Sequence, residues 1–195
     1  MQKKDRRIRK TKAQLKAGLA KLMINKTIKE ITVKELVDEV DINRSTFYLH
    51  YTDIYNMLEV IESELIADIK CLIDTHPIGY NENIRSIFID LFSIISEDKE
   101  IYSAFLGQNG NISFIQKIES IIKENIENSL KKMYPNFIED LKYSISFCLS
   151  GCVGLIKNWL LEFNQETPEH MAELTATIIK NSMKSFYELQ SNEKI

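Results

Sequence analysis

Apolar residues along this 195-residue chain recur every three or four positions, and no stretch alternates with period two over a useful length. The pattern predicts helices from end to end. The first covers residues 6–25, with Ile8, Leu15, Leu19, Leu22 and Met23 as its inward stripe and lysines opposite. A link at 27–31 leads to two short helices and a tight turn within residues 32–51. A longer helix then starts near Thr52 or Asp53 and carries Leu58, Ile61, Leu65, Ile69, Leu72 and Ile73 to about residue 74. His76-Pro77-Ile78-Gly79 stops it, because proline and glycine together break helices. Residues 83–96 form the next, with Ile84, Ile87, Phe88, Leu91, Phe92 and Ile95 facing in. A shorter one at 99–106 ends at Gly107-Gln108-Asn109-Gly110-Asn111. Ser113 with Gln116 fits a capping box opening a helix to residue 134. Pro135 suits the start of a helix running to 163, and Thr167-Pro168 the start of the last, which fades after Tyr187. The expected fold is all-α, without repeats.

The stretch 32–51, TVKELVDEVDINRSTFYLHY, carries the most chemistry. Thr32 and Glu35 fit a capping box, and Leu36, Val37 and Val40 form an apolar face. Asp41 stands where such turns often have glycine, and aspartate tolerates strained backbone better than most residues. Ile42 would plug the turn into the core, and Asn43 would cap the next helix. That helix is about two turns long and polar, poor at core building and suited to the major groove, which admits one α-helix. Asn43, Arg44 and Ser45, at its N-terminal end, are placed for base edges. Thr32, Thr46, Tyr48, His50 and Tyr51 offer hydroxyl or imidazole groups to phosphates.

The run Asn43-Arg44-Ser45-Thr46-Phe47-Tyr48-Leu49-His50-Tyr51, followed by Asp53 and Leu58, resembles the DNA-binding domain of the TetR/AcrR family of transcription regulators. The resemblance extends from about Lys10 to Glu64. It implies an N-terminal three-helix, helix-turn-helix head on a helical bundle that dimerises and takes an effector. Many members carry a lysine after the aspartate that touches a phosphate. This chain has Ile54 there, so that contact is not carried over.

Charge distribution changes the picture that net charge gives. The whole chain is at −3, which by itself argues against nucleic acid. Residues 1–50 hold 13 Lys/Arg against 6 Asp/Glu, and residues 51–195 hold 12 against 22. A basic head on an acidic body holds phosphates at one end and repels them elsewhere. Cys71, Cys148 and Cys152 are an odd count, and MQKKDRRIRK is followed by no apolar signal region. The charge-free run 143–156 is shorter than the ~20 residues of a membrane span. These features predict a cytoplasmic protein with reduced thiols and no membrane partner. Cys148 and Cys152, four apart on one helix, read as core residues.

The expected division is a helix-turn-helix domain at 1–52 whose head continues to about residue 66, a regulatory and dimerisation domain at 53–190, and a polar tail at 191–195. Ser146, Ser150, Gly151 and Gly154 make a strip of small residues between large ones. Glycine inside a helix costs about 1 kcal/mol against alanine. Two of them three apart suggest a close helix crossing, either within one subunit or, as the resemblance implies, at a homodimer interface. Phe88, Phe92, Tyr102, Phe105, Phe147, Trp159 and Phe163 are candidate linings of an effector pocket, against the plainer reading of core aromatics. Trp159, the single tryptophan, leads them.

No paired histidines at metal spacing, glycine-rich phosphate loop or nucleophile elbow is present, so neither an enzyme, a metal site nor a cofactor is expected. The expected function is a dimeric repressor released from a palindromic double-stranded DNA operator by a small-molecule effector or protein co-regulator. The alternatives are an activator controlled by a protein co-regulator, or a helical interaction module that binds no DNA.

Overall fold

A computed structural model describes residues 2–76, 84–133, 138–163 and 165–192, with side chains for 6–76, 84–131, 142–162 and 165–182. Among the described residues every regular element is helical: α1 Gln2–Asn25, α2 Val33–Glu39, α3 Arg44–Tyr48, α4 Ile54–Thr75, α5 Ile84–Glu97, α6 Lys99–Leu106, α7 Ile112–Met133, α8 Ile138–Asn158 and α9 Pro168–Asn192. The expected stop at Pro77, Ile78 and Gly79, the opening at Pro135 and the side chain of Phe163 lie outside the described residues. So do residues 193–195 of the tail, and α9 continues past Tyr187 to Asn192.

The chain forms two compact units: residues 1–67 with 98–115, and residues 68–97 with 116–195. This differs from the expected boundary at 52/53 in two ways. The first unit keeps α4 as far as Ala67, close to the expected end of the head, and it also recruits α6 from later in the chain. The reason is the apolar stripe of α1. Leu15, Leu19, Ala20 and Met23 are buried, and α6 packs against α1 with Ile101, Tyr102, Ala104 and Phe105 buried. Phe105 also meets Phe114 edge-on at 4.9 Å. Each buried side chain of this size contributes about 1.5–3 kcal/mol, so this cover is substantial.

α1 and α2 approach closely at one point. A Cβ on Gly18 would stand 2.3 Å from Val40 Cγ1, so only glycine lets the helices meet there. Ion pairs Lys21–Glu39 and Lys26–Glu35 (2.5 Å) flank that crossing.

In the second unit α5 packs on α9. Phe88, Phe92 and Ile95 face Met171, Ala172, Thr175 and Ala176, all buried, and Arg85 pairs with Glu173 at the rim. Small residues on α9 leave room for large ones on α5. Thr167 caps α9 by accepting from the His170 N–H at 3.2 Å, as Thr167-Pro168 predicts. α8 continues into a wider π turn, Trp159–Phe163. The segment Lys142–Glu162 is long and apolar enough to cross a membrane by length and composition, unlike its charge-free core. Only 17% of its most apolar window is buried.

α7 opens two residues earlier than a cap at Ser113 would place it. Asn111 Oδ1 accepts from the Ser113 N–H (3.1 Å) and Oγ (2.7 Å), so Asn111 is the cap and Ser113 sits inside the first turn.

Candidate nucleic-acid interface

The α2–turn–α3 hairpin follows its local sequence closely. Thr32 caps α2: its hydroxyl accepts the Glu35 N–H at 3.2 Å, and Glu35 accepts from the Thr32 N–H and hydroxyl at 3.0 Å. Lys26, then Thr32, hold the Glu35 carboxyl well below its usual range, at about 2. α2 ends in a Schellman turn. Asp41 takes φ 51°, in the left-handed region, and the Ile42 N–H donates to the Val37 carbonyl at 3.0 Å. Asn43 then caps α3, its Oδ1 accepting from the Ser45 N–H (3.0 Å) and Oγ (2.9 Å).

This geometry sorts the eight expected DNA-contacting residues. Arg44 is exposed at the first position of α3 and makes no ion pair among the described residues. Tyr48 is 52% exposed, while Thr46 and His50 are half-buried beside it. These four share α3 and its immediate C-terminal end. Thr32, Asn43 and Ser45 are exposed, but their oxygens are engaged in the caps. Asn43 keeps its amide N–H groups to offer.

Tyr51 is 5% exposed and packs on Phe47 at 5.7 Å, with Lys12 Nζ 5.9 Å over its ring. Burial and the charge of Glu64 push its phenol pKa up. It is a core residue beside a cleft of about 280 Å³, lined also by Lys16, Asp98 and Ile101, and not the surface hydroxyl the sequence suggested.

Ile54 is buried at 4%, so the position where the resemblance leads one to expect a lysine serves the core here. Two exposed residues were missed: Leu49 at 80% and Tyr55 at 53%. Leu49 breaks the polar pattern at the end of α3.

The aromatic residues expected to line one pocket are divided between two cores. Tyr102 and Phe105 belong to the first unit, because α6 covers α1. Phe88, Phe92 and Trp159 belong to the second. Trp159 meets Phe92 edge-on at 5.2 Å and donates its indole N–H to the Glu166 carbonyl at 2.9 Å. Phe147 on α8 is 72% exposed. Burial pushes the Cys152 thiol up to about 12, which leaves it protonated and unreactive.

Comparison with known proteins defines the class. Residues 82–181, just over half of the chain, match a TetR family profile described as "Transcriptional regulator C-terminal region". The chain belongs to the TetR/AcrR family of transcriptional regulators, a family of regulators rather than of enzymes. Among solved structures it is similar to a TetR transcriptional regulator from Streptococcus agalactiae 2603V, at 21% identity, 90% of this chain, 97% of that one and a TM-score of 0.56. It is also similar to the fatty acid degradation regulator FadR from Bacillus halodurans, at 10% identity, 86% and 93% coverage and 0.63. A third is a TetR/AcrR-family regulator from Aquifex aeolicus VF5, at 17% identity, 87% and 98% coverage and 0.62. At these identities the likeness is one of fold. A search of the curated proteins finds no match.

Proposed function

We propose that the chain is a cytoplasmic, homodimeric, sequence-specific DNA-binding repressor whose two α3 helices enter successive major grooves of a palindromic operator. The observation that carries this reading is α3 itself. It is a five-residue helix, capped by Asn43 and turned by Asp41, with Arg44 and Tyr48 exposed on it. Backbone contacts fix register and the N-terminal side chains read bases, so a short exposed helix on a rigid turn suits that task.

The dimer rests on α8 and α9. Beyond the adjacent residues and backbone of α8 itself, no described atom lies within 4 Å of where a Cβ would stand on Gly151 or Gly154. Tyr143 and Phe147 are exposed on the same helix at 78% and 72%, and Leu174 and Ile178 on α9 at 39% and 41%. An apolar helix with a glycine strip facing open space fits a second copy better than it fits water. One short recognition helix also reads few base pairs, and a two-fold pair doubles the site.

A titration with the DNA upstream of its own gene, at two salt concentrations, tests the DNA reading. Specific protection of a symmetric site, with affinity falling as salt rises, is expected. A single asymmetric half-site would exclude the dimer. Loss of the regulator should raise transcription from that site, and a fall would make it an activator. An effector shifts this balance only through differential affinity for the bound and released states, of order 1–3 kcal/mol.

A further inference from the structure

The turn at residues 107–111 is built to hold one shape. A Cβ on Gly110 would stand 2.0 Å from the Phe105 carbonyl oxygen, and one on Gly107 2.8 Å from that of Ser103. Neither glycine has positive φ, so both are there for space. The obstacles are backbone atoms, which cannot rotate aside. The Gly110 N–H closes the turn on the Gly107 carbonyl at 3.1 Å.

Held this way, the turn aims two side-chain amides at two different helices. Asn109 Nδ2 donates to the Ile24 carbonyl at 2.9 Å, one of the α1 carbonyls that the helix end leaves unpaired. Asn111 Nδ2 donates to Glu62 Oε1 on α4 at 2.8 Å, while its Oδ1 caps α7. At the other end of α6, Asp98 meets Lys16 of α1 at 2.5 Å. The eight residues of α6 span about 12 Å, as do the eight steps from Lys16 to Ile24. α6 is therefore a splint lying along α1 and fastened at both ends, with Asn111 as a third tie to α4.

The hairpin that carries α3 hangs between these two helices in the chain. α1 meets it at Gly18 and Val40, and α4 follows directly from α3. The chain leaves the first unit after Ala67, returns at Asp98 and leaves again after Ile115. Asp98 and Asn111 thus stand at or near two of these crossings.

We propose that Asn109 and Asn111 are positioning residues for DNA recognition. They touch no DNA, but they fix the α1–α4 frame from which the α2–α3 hairpin projects. The proposal rests on the reading of α3 as the DNA-contacting element.

The test uses the full chain. Asn111→Asp keeps an oxygen to cap α7 but sets a carboxylate against Glu62. Combining it with Glu62→Gln moves the donor to the other partner and restores the tie with reversed polarity. Amide hydrogen exchange on the free protein reports the frame, and titration with the wild-type operator reports recognition. Asn111→Asp should speed exchange in α4 around Glu62 and weaken operator binding about tenfold. The double variant should return both toward wild type. Asn109→Ala should loosen the last turn of α1 and weaken binding in the same direction. Unchanged exchange and affinity in Asn111→Asp, or no recovery in the double variant, would overturn the proposal. A wild type without specific DNA binding strikes the DNA reading instead, and the exchange data still decide whether the ties hold the frame.

Discussion

Under the proposed DNA reading, Arg44 is expected to read bases and Tyr48 to hold the backbone. Arg44 is exposed at the N-terminal end of α3, where a guanidinium can make two bonds to guanine. Arg44→Ala should flatten sequence preference by about 1–3 kcal/mol, seen as equalised competition among operator variants. Tyr48→Phe should weaken every site alike, and the reverse pattern would exchange the two roles. Tyr51 supplies a contrast, since its ring is buried against Phe47. Tyr51→Phe should leave operator affinity unchanged, while Tyr51→Ala should cost about 3–5 kcal/mol of stability, as large aromatic truncations do. Ile54 gives the same lesson. Because it is buried, Ile54→Lys should lower the melting temperature without raising DNA affinity, since an ammonium placed there loses its water. A rise in affinity at unchanged stability would show that the side chain reaches the surface.

The caps and turn of the α2–α3 hairpin are set by hydrogen bonds spanning no more than five residues, which is why they were legible in the sequence. The Thr32–Glu35 box, the left-handed Asp41 and the Asn43 cap all follow from residue type and spacing. Two consequences are measurable. Asp41→Gly should stabilise the protein by about 0.5–1 kcal/mol because glycine adopts φ 51° freely, whereas a β-branched residue there should destabilise it. Glu35 is held at about 2, below its unfolded value, so its contribution to α2 is complete above about pH 4.5 and is lost as pH falls toward 2. Acid unfolding of Glu35→Gln should therefore depend less on pH across that window. What the sequence could not convey is long-range. The periodicity of residues 99–106 announces an amphipathic helix but not which helix it covers, so α6 was expected in the body and lies on α1. Tyr51 follows a helix too short for periodicity to separate its inner from its outer side. Asn111 outcompeted Ser113 as the cap because its side chain serves α4 and α7 together.

For the whole molecule, the unsettled surface is the one that α8 leaves open. Within one chain a Cβ on Gly154 meets open space, so Gly154→Leu is expected to be tolerated and to gain helix propensity of about 0.5–1 kcal/mol. If a second copy crosses there, the added side chain holds the two helices apart, and the loss falls on association alone. The expected outcome is a chain that melts at the same or a higher temperature when dilute, yet sediments as a monomer at low micromolar concentration. Operator affinity should fall with it, because each isolated α3 is left with a half-site, although residue 154 belongs to the second unit and α3 to the first. The exposed Phe147 gives an independent probe of the same face. Phe147→Glu should solubilise and separate the subunits without disturbing the Phe92–Trp159 core, whose tryptophan fluorescence reports its integrity. A Gly154→Leu chain that remains dimeric and binds its operator at full strength would move the interface off this strip. A Phe147→Glu chain that lost Trp159 packing would instead place Phe147 in the core of its own subunit.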